Sequence, residues 1–198
     1  MFTSCFAKCN IVQNDFEIHS NKLILRNVNP LDSEGLVMLA NDRSIADMMN
    51  GSIPFPYPSD VADKWIEKHH QDNLNSQAMS WIITYKDKKA LIGSIQLRLD
   101  ESRKSARFSY WLGKPYWNQG ITTEAARSVL KFGFEQLGLD KIEAEVFQRN
   151  PASRAVLLKL GFIFQESTIK EEKLDHRIEV FELYSLESQA YFMQERCF

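Results

Sequence analysis

The residues of this 198-residue chain whose types and spacing suggest chemistry lie in two polar turns. The first, Tyr116-Trp117-Asn118-Gln119-Gly120-Ile121-Thr122-Thr123-Glu124-Ala125, runs straight into an apolar-periodic helix. At a helix start, unpaired backbone N–H groups and the positive dipole end face whatever the turn encloses, and Gly120 lets the main chain approach closely. A diphosphate suits such a pocket. The same residues also fit an ordinary strand-to-helix turn whose N–H groups bond to water or to a capping side chain. Neither G-x-G-x-x-G nor G-x-x-x-x-G-K-S/T occurs, which disfavours the dinucleotide and P-loop folds. In the second turn Asn150 reads as an N-cap, Pro151 as the first helical residue and Gly161 as the stop, with Ser153 in the first turn.

The first turn needs a strand before it, and Ala106 to Leu112 has that aromatic character, ended by Gly113 and Pro115. From Thr123 to Leu137, the residues Ala125, Ala126, Val129, Leu130, Gly133, Phe134 and Leu137 mark one helical face, and Gly138 stops it. Lys141 to Val146 alternates as a half-buried strand. A right-handed crossover makes it parallel to the strand from Ser105. Ligands of such a parallel pair bind outside the carboxyl ends of its strands.

Together these segments resemble the acetyl-CoA half of the GNAT N-acetyltransferases, and are most similar to the RimJ/RimL type. That family shows a strand, a Trp-x-x-Gly-x-x-Thr-Glu-Ala turn, a helix, a strand, then Asn-x-x-Ser and a Leu-Gly-Phe ending, all present here. The likeness is densest from Ile92 to Phe162, and Leu23-Ile24-Leu25-Arg26 followed by Pro30 and Asp32 resembles the family's opening. Two positions depart from the broad GNAT pattern. Trp117 stands where Arg or Gln is usual, as is ordinary in the RimJ/RimL branch, and Thr122 stands where Gly or Ala is usual.

The resemblance implies an α/β GNAT fold, with a mixed, mostly antiparallel central sheet of about seven strands, a splayed parallel pair and flanking helices. It places the pantetheine arm of acetyl-CoA against Tyr110, Trp111 and Leu112. The diphosphate then falls on Trp117, Asn118, Gln119, Gly120, Ile121, Thr122 and Thr123, with Asn150 and Ser153 reaching the thioester from the other side. It implies transfer of acetyl to a primary amine, first of all a protein or peptide N-terminal α-amine, by direct attack on the thioester. A small amine such as a polyamine, amino acid or aminoglycoside is the alternative, as is an acyl-CoA-binding protein that has lost transfer.

Three groups are assigned to the reaction. A backbone N–H near Leu112 stabilises the oxyanion, because preorganised donors in a dry site are effective there. Many GNAT enzymes carry Tyr seven residues after the Asn, but that position is Leu157, so Ser153, or water on it, is the expected acid. Glu171 and Glu172 lie where the resemblance puts a carboxylate near the acceptor. Glu172 is the candidate base, although both residues also read as solvated charges at a turn. An α-amine, with a pKa near about 8 against about 10.4 for lysine, asks less of a base.

The remaining chain bounds this reading. Residues 1–20 are expected as a loose lead-in, 21–187 as the GNAT domain and 188–198 as a tail with a short helix. A net charge of −2 offers no footprint for nucleic acid, and no apolar run reaches membrane-spanning length. Cys5, Cys9 and Cys197 suggest neither a disulfide frame nor a zinc site, so reduced thiols and a cytoplasmic location are expected, as a monomer or homodimer. The four histidines have no ligand spacing, and no metal is expected. Helices are expected at Leu31 to Ala40, Ile45 to Met49 and, capped by Ser59, to Leu74. The intervening Pro54-Phe55-Pro56-Tyr57-Pro58 is a rigid connector or a substrate-side lip. Three strands follow in a meander from Ser80 to Leu112, and a hairpin joins Phe162–Ile169 to Ile178–Ser185. Phe132, Phe134, Phe162 and Phe164 are read as core.

Overall fold

The alternating segments form one eight-stranded sheet in a computed structural model that describes residues 17–173 and 176–195. The cysteines all lie outside the described residues. Strands β1 (Ile18–His19), β2 (Leu23–Arg26), β3 (Ala78–Tyr85), β4 (Lys88–Leu99) and β5 (Ser105–Leu112) pair antiparallel in succession. β6 (Lys141–Phe147) lies parallel to β5, and β8 (Ile178–Glu187) and β7 (Ile163–Glu171) continue the sheet antiparallel. The strand order is β1-β2-β3-β4-β5-β6-β8-β7. The strand beyond the expected seven is β1. Two residues are too few to show a period, and only the pairing of Ile18 and His19 with Leu25 and Ile24 reveals it.

Alternation along the strands feeds two cores. Trp81, Ile83, Leu97 and Phe108 pack with Ala125, Ala126, Val129 and Leu130 of α4 (Ile121–Lys131) and Leu157 of α5 (Pro151–Lys159). Tyr191 of α6 (Ser188–Glu195) joins them, stacked on Phe134. Ile82 and Trp111 point the other way, among Leu36 and Ala40 of α1 (Ser33–Ala40), Ile45 of α2 (Arg43–Ala46) and Ala62 and Ile66 of α3 (Ser59–Leu74). The opening motif is held by Arg26, whose guanidinium donates to both oxygens of the buried Asp32 at 2.9 and 2.6 Å. Asp32 in turn accepts from the Asn29 N–H, closing a capping box.

Local structure differs from the sequence reading at several points. The short helix expected over Ile45 to Met49 runs instead over Arg43–Ala46, because Asp42 caps it by accepting from the Ser44 N–H. The cap of α3 is Pro58, whose carbonyl accepts from the N–H groups of Val61 and Ala62; Ser59 is already helical and makes no capping bond. The helix expected to continue to Leu137 widens after Lys131 into a π-turn over Phe132–Gln136. Phe132, Gly133 and Phe134 are all buried there, and three consecutive residues cannot share the single stripe of a regular helix. Phe164 is 48% exposed, while Phe132, Phe134 and Phe162 are buried, because β7 is the edge of the sheet.

Candidate active site

Strands β5 and β6 come apart where their main-chain groups are most useful. Among the described residues their ladder runs from Ser105↔Lys141 only to Arg107↔Glu143. The Gly113 N–H donates to the Ile92 carbonyl, so in the antiparallel alternation the odd residues of β5 bond to β4. Tyr110 and Leu112 therefore turn their peptide groups toward β6, beyond the end of the parallel ladder. The Leu112 carbonyl accepts from Trp117 Nε1–H at 2.7 Å. Trp117, one of the two departures from the broad pattern, thus ties the strand end to the turn that follows.

The turn is shaped by two left-handed residues, Asn118 (φ +58) and Gly120 (φ +75). Both types tolerate that region, Gly because it has no Cβ. Gly120 precedes α4 without a side-chain cap, so the first N–H groups of the helix keep their orientation toward the turn. Gln119 donates through Nε2 to the Pro115 carbonyl at 2.9 Å, bracing the turn from outside. Glu124 would put a negative charge beside any bound anion. Its carboxylate instead accepts from Ser20 Oγ–H and the Lys22 N–H, both at 2.7 Å. Arg127, Ser128 and Lys159 line an adjoining open hollow of about 610 Å³ with Gly120 and Thr123.

A single cleft of about 1010 Å³ is lined by Tyr110, Trp111, Leu112, Trp117, Asn118, Gln119, Gly120, Ile121, Thr122, Thr123, Asn150 and Ser153. Asn150 Oδ1 accepts from the Ser153 N–H at 3.1 Å as the cap of α5. The Ser153 hydroxyl lies 2.7 Å from the Tyr110 phenol oxygen. Burial pushes that phenol up to about 12. Leu157 is fully buried in the core and does not line the cleft. Trp111 buries its indole, whose Nε1 has no partner among the described residues.

The two candidate carboxylates separate. Glu171 is exposed, lines the cleft and accepts from His176 Nδ1 at 2.7 Å. Glu172 is only 1% exposed, gives its N–H to the Arg177 carbonyl at 2.7 Å, and is not among the groups lining the cleft. Lys170 and Arg107 both pair with Glu145 on the same wall. The Pro54–Pro58 segment is not among the residues that line the cleft; Tyr57 is buried and its N–H donates to Asn41 Oδ1, as a rigid connector requires. The opposite wall is instead Ser44 to Asn50, with Met48 and Met49. Arg149 holds it in place by donating to Glu179 and the Asp47 carbonyl, both at 2.8 Å. No periodicity marks residues 44–50 or Arg149 as site residues, because their role depends on which segments the sheet brings together. Among the described residues no three His, Cys, Asp or Glu side chains converge as a metal set, and no helix is long and apolar enough to cross a membrane.

Comparison with known proteins supplies the family. The model for the acetyltransferase (GNAT) domain matches residues 22–163. The uncharacterised N-acetyltransferase p20 of Bacillus licheniformis is 27% identical over 175 residues, covering 88% of this chain and 97% of p20. A putative ribosomal-protein-serine acetyltransferase from Vibrio cholerae superposes with a TM-score of 0.74 at 20% identity, covering 87% of this chain and 98% of that one. The V. cholerae spermidine N-acetyltransferase, solved with CoA and spermine, gives 0.74 at 21%, with 86% and 98% covered. At such identities the two structures speak for the fold, and their named acceptors differ. The domain match spans most of the sheet and both polar turns, and the chain belongs to the GNAT family, enzymes that take an acetyl group from acetyl-CoA.

Proposed function

We propose that this protein acetylates a primary α-amine at a protein or peptide N-terminus, in the cytoplasm, by direct attack on acetyl-CoA. One observation carries the reading: Tyr110 and Leu112, whose peptide N–H groups turn away from β4, the uncapped start of α4 and Ser153 all line a single cleft. The start of α4, with Asn118 to Thr123, suits the diphosphate. The gap between β5 and β6 suits the pantetheine arm, which takes the main-chain bonds that a paired strand would otherwise make. The Leu112 N–H serves the oxyanion. The amine nitrogen bonds to the carbonyl carbon, the C–S bond breaks, and its electron pair goes to sulfur. Ser153 Oγ–H gives its proton to that sulfur, and the proton shed by the amine returns through water to the serine side, so the products balance as amide and free thiol with the serine restored.

The choice of α-amine follows from the carboxylates. Glu145 is shared by Lys170 and Arg107, Glu171 is bonded to His176, and Glu172 is buried and does not line the cleft. A site so short of free base favours the acceptor that sheds its proton most readily. At pH 7 an amine of pKa about 8 is neutral in roughly one molecule in ten, about two hundredfold more than one of pKa about 10.4. Two peptides of equal sequence test this, one with a free N-terminus and blocked lysine, the other reversed, both followed by mass with acetyl-CoA. The first should be modified faster. Faster transfer to the lysine peptide, spermidine or an aminoglycoside would overturn the acceptor, and acetyl-CoA binding without transfer to any amine would overturn catalysis.

A further inference from the structure

We infer that Tyr110 is a positioning residue for the Ser153 hydroxyl, and so governs proton delivery to the leaving sulfur; this rests on the reading of Ser153 above. The two residues are 43 positions apart, one on β5 and the other in the first turn of α5, yet their oxygens are 2.7 Å apart. The phenol is held in place by the neighbouring ring of Phe108, 5.4 Å between centroids. The Ser153 peptide N–H is held too, by Asn150 Oδ1. The serine oxygen is therefore fixed from two directions.

A serine hydroxyl carries one proton and can accept two hydrogen bonds. A phenol, with a reference pKa of about 10, is a far stronger acid than an alkyl alcohol, so in a pair this close Tyr110 donates and Ser153 accepts. The serine proton is then left to point into the cleft. Burial keeps the phenol protonated throughout the working range, so this polarity does not change with pH. As the C–S bond breaks and its electron pair goes to sulfur, the serine proton moves toward sulfur and the phenol proton toward the serine oxygen. The proton released by the attacking amine, relayed by water, restores the phenol. No other donor is consumed.

The test is a double-mutant cycle with Tyr110→Phe, Ser153→Ala and the pair, using acetyl-CoA and the best amine acceptor of the panel above. Tyr110→Phe keeps the ring, and should lower kcat about tenfold while calorimetry gives a Kd for acetyl-CoA within about twofold of the parent. The double variant should be no slower than Ser153→Ala, because the phenol acts only through the serine. Parental kcat in Tyr110→Phe, losses that multiply in the double variant, or full turnover in Ser153→Ala would each overturn the inference. Should Tyr110→Phe not fold, 3,5-difluorotyrosine at position 110 keeps the shape and strengthens the acid, and an unchanged kcat there overturns it as well. If the parent protein transfers to no amine, the proposed function falls and this inference with it; failure of Tyr110 alone, in an active parent, leaves that function standing.

Discussion

At the scale of single residues, His69 carries the clearest consequence outside the cleft. It stacks on Trp65 at 3.8 Å between ring centroids and bonds through Nδ1 to the Trp65 carbonyl. Burial lowers its pKa to about 4. The folded protein therefore keeps this ring neutral where the unfolded chain protonates it. The sign follows from linkage: between about pH 6.5 and pH 4 the unfolded state binds more protons, so stability is full above that window and is lost as pH falls through it. The slope should be about 1 kcal/mol per pH unit, below the limit of about 1.4 because the ring is partly exposed. Urea unfolding of His69→Phe at pH 7, 6 and 5 should show a flatter dependence than the parent; parallel curves would reject the assignment. The shifted aspartates, Asp42, Asp60, Asp72 and Asp100, are all lowered from 3.8 and act below this window.

At the scale of elements, the turn into α4 depends on one backbone angle. A Cβ on Gly120 would meet no atom within 4 Å, so crowding is not what excludes a side chain there. The φ of +75 does. Holding a non-glycine residue in that region costs about 1 to 2 kcal/mol, and a β-branched one is an outlier there. Gly120→Val should relieve this by moving the turn, and with it the first N–H groups of α4. Hydrogen bonds to charged groups contribute roughly 1.5 to 3 kcal/mol each, so losing one should weaken CoA binding at least about tenfold by calorimetry. Unchanged affinity in a folded variant would remove the anion site. The element boundaries were readable because they rest on local chemistry: Asn150, Pro151 and Gly161 bound α5 as expected, with Gly161 at φ +86. Ser59 misled because the Pro58 carbonyl does the capping, and no side-chain pattern records that.

At the scale of the molecule, the two sections of the sheet are joined by only three residue pairs, those that link β5 to β6. A ligand bonded between those strands replaces the missing ladder, and it binds the folded chain alone. Stabilisation then follows mass action, about 2.7 kcal/mol at a hundredfold excess over Kd. For a chain of this size each kcal/mol raises Tm by about 2 to 4 °C. A thermal scan with saturating acetyl-CoA should rise by about 5 to 10 °C. A Tm unmoved by acetyl-CoA would count against the β5–β6 opening as its site.

The sequence by itself determined the order of the elements, the parallel return of β6 and the family, because caps, glycines and alternation are properties of neighbouring residues. It also marked the twelve residues that meet in the cleft, through motifs confined to short stretches. Only the tertiary structure decided which distant groups share a site. Tyr110 meets Ser153, and Glu124 meets Ser20 across 104 positions, because strand order brings them together. The same cause placed Phe164 on an exposed edge, buried Glu172 between two residues that line the cleft, and made residues 44–50 and Arg149 its far wall. Periodicity encodes which face of an element turns inward. It does not encode which element lies beside it, and that is what decides the partners of a charge or a hydroxyl.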